Sequence, residues 1–131
     1  MKKKLFGLML ALAVFGAGSV SFAGFRYSPS TSVVKNEDRS GWFSGSLEAA
    51  SGSSDGAQYI DCYVGATAAS TYLVCEASDA NNNWASCYST DPSLVQSARS
   101  VGIATNLLVF FDGSGTCTEI LVDQSSYNLI R

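Results

Sequence analysis

The sequence contains no histidine, and this absence excludes several chemistries at once. Without an imidazole the chain has neither the base of a Ser-His-Asp triad nor a Cys-His dyad, and it has no imidazole metal ligand. Basic residues are also scarce, since eight Lys and Arg stand against 11 Asp and Glu in 131 residues. Binding to nucleic acid needs clustered Lys and Arg for phosphate contacts, so no nucleic-acid partner is expected.

What is present begins with an N-terminal segment typical of a signal peptide. Residues Met1–Ala23 combine three lysines, an apolar run too short to span a bilayer, and a Ser21-Phe22-Ala23 cleavage site. The sequence therefore predicts a signal peptide over 1–23 and a secreted or periplasmic protein. Its removal leaves five basic and 11 acidic residues, a formal charge of 5 − 11 = −6. Such a chain is a poor ligand for anionic lipid, so we expect no membrane partner after signal cleavage.

The cysteines of the exported chain predict disulfides rather than a metal site. An even number of cysteines in an oxidising compartment is typical of two disulfides. Structural zinc sites with four thiolates usually contain close Cys-x-x-Cys pairs, whereas the intervals here are 13, 12 and 30 residues. The four cysteines are Cys62, Cys75, Cys87 and Cys117.

Turn signals and hydrophobic periods after the signal peptide predict mostly short strands. Residues 24–40 are polar and are expected to form a flexible N-terminal arm with an edge strand around Ser32–Val34. Because Asn106–Phe111 is apolar at nearly every position, both faces of that strand are expected to be buried. The remaining predicted strands are Trp42–Ala50, Gln58–Ala66, Thr71–Ala77, Asn83–Ser89 and Thr116–Val122.

One segment has the helical period instead. Asp91 is a favourable N-cap and Pro92 suits the first helical position, so a short amphipathic helix is predicted over Asp91–Val101. Together these elements predict a single β domain over residues 41–131. Its expected fold class is all-β, a mainly antiparallel, sandwich-like arrangement with one short α-helix and a disulfide brace.

Two predicted hairpins fix a register for the central strands. A turn centred between Ala68 and Ala69 places Cys62 opposite Cys75, and a turn centred on Asn81 places Cys75 opposite Cys87. The three cysteines then share one row on an apolar face, which should be the core side. We favour the pairs Cys62–Cys75 and Cys87–Cys117, with Cys75–Cys87 and Cys62–Cys117 as an open alternative.

The opposite face of the same three strands carries five aromatic residues. With the cysteine row directed inward, period-2 alternation places on it Tyr59, Tyr63, Tyr72, Trp84 and Tyr88. Either these rings pair across strands and stabilise the sheet, or they form a stacking platform for a sugar or a partner protein. The register also sets Asp61 opposite Glu76, and such like charges are destabilising unless a cation, a shared proton or solvent compensates them.

Three local patterns imitate catalytic or metal-binding motifs. The Gly-x-Ser-x-Gly match at Gly52–Gly56 lies in a polar turn before a strand, whereas a nucleophile elbow needs a strand before it and a helix after it. Asp79–Asn83 begins like a calcium loop, but Trp84 and Thr90 stand where that loop needs Gly and Glu. The Asp61 and Glu76 carboxylates would lie on one flat sheet rather than on opposing walls of a cleft. We therefore predict no catalytic residue, no metal site and no enzyme activity.

The pattern resembles an uncharacterised family of small exported bacterial proteins. The resemblance covers roughly Gly45 to Tyr127 and is carried by Gln58-Tyr59-Ile60-x-Cys62, Cys75, Ser86-Cys87, Pro92-x-Leu94-Val95, Cys117-Thr118, Val122 and Ser125-Ser126. Members of that family carry Gly where Asp61 stands here, which implies that Asp61 is not a general catalytic group of such proteins. The resemblance implies no activity and assigns no functional residue.

Two non-catalytic functions without a cofactor follow from the sequence. The first is a secreted binding module that uses the aromatic residues to hold a glycan or an extracellular surface protein. The second is an extracellular inhibitor or interaction protein that presents a braced loop, either Ala66–Ser70 or Asn81–Asn83, to its target.

Overall fold

The computed structural model describes residues 28–124, which form two antiparallel β-sheets with a shared core. In chain order the elements are β1 (Ser32–Lys35), β2 (Gly41–Ser46), α1 (Leu47–Ser51), β3 (Tyr59–Ala66), β4 (Thr71–Ser78), β5 (Trp84–Ser89), α2 (Pro92–Ala98), β6 (Asn106–Phe111) and β7 (Cys117–Asp123). The four-stranded sheet has the order β1-β2-β6-β7, and the three-stranded sheet has the order β3-β4-β5. The predicted antiparallel, sandwich-like all-β fold is thus confirmed. The predicted signal peptide, Met1–Ala23, lies outside the described residues.

The core lies between the inner faces of the two sheets. Phe43 and Val109 of the four-stranded sheet and Leu73 and Cys75 of the three-stranded sheet have no exposed surface. These side chains alternate with outward-facing ones along their strands, as expected for strands with one face in a core. Within residues 28–124 no helix is long and apolar enough to cross a membrane.

The N-terminal arm predicted over residues 24–40 contributes a strand to the four-stranded sheet. The edge strand expected around Ser32–Val34 is β1, and it pairs with β2 along its whole length. The segment before it is also held, because the Ser46 amide donates to the Pro29 carbonyl at 3.0 Å and the Thr31 amide donates to the Gln58 side chain at 3.0 Å. The second half of the arm is therefore part of the β domain rather than a flexible extension.

The predicted strand Trp42–Ala50 is wrong in its second half, where the chain forms α1. Ser46 caps this helix, since its hydroxyl accepts from the Ala49 amide at 3.3 Å. Glu48 in the first turn suits the positive end of the helix dipole, and the following alanines favour helix over strand. The apolar pattern of the segment did not reveal this cap.

The expectation that both faces of Asn106–Phe111 are buried is also wrong. Burial alternates along β6, with Leu107 and Val109 in the core and Leu108 and Phe110 partly exposed. These outward side chains of β6 are therefore apolar but only partly covered.

The predicted helix is present but shorter than expected. Asp91 is its N-cap and accepts from the Ser93 amide at 2.8 Å and from the Leu94 amide at 3.2 Å. The helix α2 ends at Ala98, three residues before the predicted end at Val101. It packs its buried Val95 and Ala98 against β4 and β7 at one end of the sandwich.

Both disulfides have the favoured pairing. The hairpin disulfide, Cys62–Cys75, joins neighbouring strands with Cα atoms 4.0 Å apart. The inter-sheet disulfide, Cys87–Cys117, joins β5 to β7 with Cα atoms 5.0 Å apart. Two disulfides indicate an oxidising compartment.

The backbone pairing explains why Cys75 bonds to Cys62 although it lies opposite both Cys62 and Cys87. The Tyr88 amide donates to the Gly115 carbonyl at 3.0 Å and so points away from β4. Because amides alternate in direction along a strand, Cys87 pairs with Cys75 through backbone hydrogen bonds. Cys62 and Cys75 then form a pair without backbone hydrogen bonds, in which side chains approach more closely.

Candidate functional site

The five predicted aromatic residues share the outer face of the three-stranded sheet, as the sequence analysis expected. The predicted register is confirmed, with Cys62 opposite Cys75 and Cys75 opposite Cys87. Tyr72 is half-buried, and the exposed fractions of Tyr59, Tyr63, Trp84 and Tyr88 are 38%, 48%, 48% and 49%. We call this surface the aromatic face; it consists of Tyr59, Tyr63, Tyr72, Trp84 and Tyr88 together with the side chains between them.

The first row of the aromatic face crosses the sheet at one end. Tyr59 and Trp84 lie on the outer strands on either side of Ser78, which is buried beneath them. Burial and the nearby Glu76 carboxylate raise the pKa of Tyr59, while a hydrogen bond with the Trp84 indole opposes this shift.

A cation contacts this first row from the other sheet. The Lys35 ammonium on the edge strand β1 lies over the Trp84 ring, with its Nζ atom 6.0 Å from the ring centroid. This separation is within the range of a cation–π interaction. No local pattern in the sequence identifies Lys35 as part of this surface, because its contact with Trp84 depends on how the two sheets pack.

A second cluster of rings lies at the other end of the face. Tyr63 and Tyr88 flank Val74 in one row, and the Tyr72 ring stacks on Tyr88 with centroids 5.7 Å apart and an angle of 28° between the planes. Tyr72 also lies across Gly65, where a Cβ atom would overlap its ring. Glycine at this position thus allows the tyrosine to lie flat on the sheet.

Polar side chains separate the two groups of rings. Asp61, Glu76 and Ser86 form the middle row, with the two carboxylates directly opposite each other as predicted. Rows on one face are two residues apart along a strand, so the Tyr59 row and the Tyr63 row are separated by four residues. At about 3.4 Å per residue, these two rows are about 14 Å apart. The face is therefore a flat strip in which two aromatic ends flank an acidic centre.

The turn before β5 fixes the position of Trp84. One Asp79 oxygen accepts from the amides of Asn81 at 2.9 Å and Asn83 at 3.0 Å, and the other accepts from the Asn83 side chain at 2.8 Å. These hydrogen bonds, chiefly that from the Asn83 side chain, lower the pKa of Asp79. Asn82 adopts a φ of 61°, which asparagine tolerates better than most residues.

This geometry supports the interpretation of Asp79–Asn83 as a hairpin turn rather than a calcium loop. The carboxylate oxygens that would bind a metal already accept hydrogen bonds from the turn. No group of three or more metal-ligating side chains occurs within the described part of the chain.

The Gly52–Gly56 segment follows a helix and precedes a strand, the reverse of the order in a nucleophile elbow. Its Asp55 carboxylate accepts from the Ala57 amide at 2.8 Å, from the Gln58 amide at 3.0 Å and from the Gln58 side chain at 2.5 Å. These hydrogen bonds, with the Gln58 side chain first, lower the pKa of Asp55 to about 2. The segment thus forms a capped turn that leads into β3.

An open depression of about 560 Å³ continues the face beyond Tyr88. It forms where the start of β7 meets β5, since Tyr88 bridges to Thr116 in a parallel sense. No local sequence signal reveals this contact between distant segments. The depression is lined by Tyr88, Ser89, Thr90, Asp91, Pro92 and Thr116.

Comparison with known proteins gives no match to a protein-family model, to a curated protein or to a solved structure.

Proposed function

We propose that this protein is a secreted, non-catalytic binding module that holds a glycan on its aromatic face. The observation that carries this proposal is the set of four rings on one flat face, each exposed by more than a third of its surface. Exposed Tyr and Trp side chains combine an apolar ring with a polar atom, which suits them to binding surfaces. On an ordinary protein surface, exposed apolar side chains are scattered singly, whereas these four rings share one face.

The order of side chains along the face favours a sugar chain over a flat protein surface. Sugar rings have apolar C–H faces that can stack on aromatic rings, and they have hydroxyl groups that donate hydrogen bonds. Asp61 and Glu76 are acceptors when ionised, and they lie between the two aromatic ends. An extended oligosaccharide about 14 Å long or more would contact both ends while its hydroxyls meet the carboxylates.

The position of the carboxylates supports binding without hydrolysis. Glycoside hydrolases place two carboxyl groups on either side of the bond that is cleaved. Asp61 and Glu76 instead lie side by side on neighbouring strands of one open face. A glycan on this surface would lie above both carboxylates, so neither would reach its opposite side.

The proposed location is outside the cytoplasm. The two disulfides need an oxidising compartment, and the signal peptide predicted over Met1–Ala23 would bring the chain there. A glycan-binding protein in this compartment would meet polysaccharides of a cell surface or of the surrounding medium.

A glycan array with matched variants tests the proposal. The double variant Trp84→Ala/Tyr88→Ala removes one exposed ring from each aromatic end, whereas Leu121→Ala removes an equally exposed apolar side chain from the other sheet. Truncating a central aromatic contact typically costs about 2 kcal/mol or more, roughly a thirtyfold loss of affinity. We expect the array signal to disappear in the double variant and to persist in Leu121→Ala. Glycan binding that survives in the folded double variant would exclude the aromatic face as the site.

A further inference from the structure

The chain carries an excess of negative charge. After the predicted signal peptide it contains five Lys and Arg against 11 Asp and Glu, a formal charge of 5 − 11 = −6. Two of these acids, Asp61 and Glu76, face each other at the centre of the aromatic face. A ligand lying there must therefore be compatible with two carboxylates.

The register sets Asp61 directly opposite Glu76 on neighbouring strands. Like charges at such positions tend to destabilise a sheet. A positively charged ligand group above the pair would relieve this repulsion and form charge-assisted hydrogen bonds with the carboxylates. A neutral hydroxyl would form weaker bonds there, and an anionic group would add to the repulsion.

The aromatic ends add to this preference for a cation. Faces of Trp and Tyr rings attract ammonium groups through their negative π surfaces. The Trp84 ring already has such a contact with Lys35, whose ammonium lies 6.0 Å from the ring centroid, so a ligand cation is expected at the carboxylates and at the other end of the face. The other end of the face, with Tyr63, Tyr72 and Tyr88, offers rings of the same kind.

We propose that the aromatic face selects glycans that carry free, positively charged amino groups, and that Asp61 and Glu76 are the residues that determine this specificity. This inference rests on the proposed glycan-binding function. The ligand class is a chain of unacetylated amino sugars, in which stacking on the rings provides contact area and the ammonium groups meet the carboxylates.

The test compares two oligosaccharides that differ only in acetylation. Glucosamine and N-acetylglucosamine oligomers of equal length and linkage are titrated calorimetrically into the full exported protein at about pH 5.5, where the primary amines of the glucosamine oligomer are protonated. Ion pairs between the ligand's ammonium groups and these two carboxylates should make binding of the glucosamine oligomer about fivefold tighter or more. The preference should weaken as salt is raised, because salt screens exposed charges.

Charge-removal variants assign the preference to the face. In Asp61→Asn/Glu76→Gln we expect the affinity for the glucosamine oligomer to fall to that for the acetylated oligomer, so that the preference disappears. The control Glu37→Gln/Glu119→Gln removes the same charge from exposed positions outside the aromatic face and should keep the preference. Urea unfolding checks that both variants fold, and removal of the opposed charges should not destabilise the sheet.

The outcomes separate this inference from the proposed function. Equal or tighter binding of the acetylated oligomer by the unmodified protein would overturn the amino-sugar preference and leave glycan binding intact. A preference lost equally in the control variant would show that the overall charge, rather than Asp61 and Glu76, is responsible, and would overturn the assignment. No binding of either oligomer, together with an empty glycan array, would overturn both proposals.

Discussion

The exposure of the aromatic face can be tested by its effect on stability. Tyr63 and Phe43 are aromatic residues within β-strands, yet Tyr63 is 48% exposed on the outer face whereas Phe43 has no exposed surface. Replacing each by alanine removes an aromatic ring from a β-strand, and the two variants differ chiefly in the burial of the ring that is lost.

The expected magnitudes follow from burial. Full burial of a large apolar side chain contributes about 1.5–3 kcal/mol, so a side chain that is half exposed should contribute about 1 kcal/mol. Truncation of a fully buried phenylalanine to alanine costs about 3–5 kcal/mol, because the removed ring also leaves a cavity. Tyr63→Ala should therefore cost at least about 2 kcal/mol less than Phe43→Ala. This difference corresponds to roughly thirtyfold in the unfolding equilibrium.

Urea unfolding of the disulfide-bonded protein, followed by tryptophan fluorescence, measures both changes. Equal slopes of the unfolding free energy against urea would show that the variants unfold to similar states. A loss for Tyr63→Ala as large as that for Phe43→Ala would place the Tyr63 ring in a packed environment. The aromatic face would then be a structural layer, and the proposed binding function would lose its main support.

Three further predictions concern the disulfides, a turn and a strained residue. Replacing both cysteines of a bridge by alanine should cost about 3.6 kcal/mol for the inter-sheet disulfide and about 2.9 kcal/mol for the hairpin disulfide, from sequence separations of 30 and 13; urea unfolding that gives the reverse order would contradict this. The lowered pKa of Asp55 means that its ionised form stabilises the folded state above about pH 4, and that this contribution is lost as the pH falls towards about 2. Asp55→Asn should therefore lower the Tm at neutral pH, and the difference from the unmodified protein should shrink at low pH; a constant difference would refute the assignment. Arg39 has a φ of 67°, so Arg39→Gly should raise stability by up to about 1 kcal/mol in urea unfolding, and a loss would show that its side chain makes a compensating contact.

The sequence was sufficient where short-range signals determine structure. The hairpin turns around residues 68–69 and 79–83 set the register of three strands, because period-2 alternation leaves no freedom once a turn is fixed. The same rule assigned the five aromatic residues to the outer face. Asp91 and Pro92 marked the start of α2 through their own capping and dihedral preferences.

Local sequence patterns gave wrong predictions where strand and helix preferences competed within a few residues. The segment after Trp42 has the apolar content of a strand, but Ser46 caps a helix there and Ala49 and Ala50 favour it. The apolar run of β6 predicted burial on both faces, whereas its outward side chains remain partly exposed. Composition reports how apolar a segment is, but it does not report which layers pack against it.

The sequence by itself determined most of the strands, the register of the three-stranded sheet and the identity of its outward-facing rings, because these depend on residues close in the chain. Tertiary structure decided the rest. The choice of Cys62 over Cys87 as the partner of Cys75 depends on which strand pair lacks backbone hydrogen bonds at that row. The contact of Lys35 with Trp84 depends on how the two sheets meet, and such packing between distant segments has no local signature in the sequence.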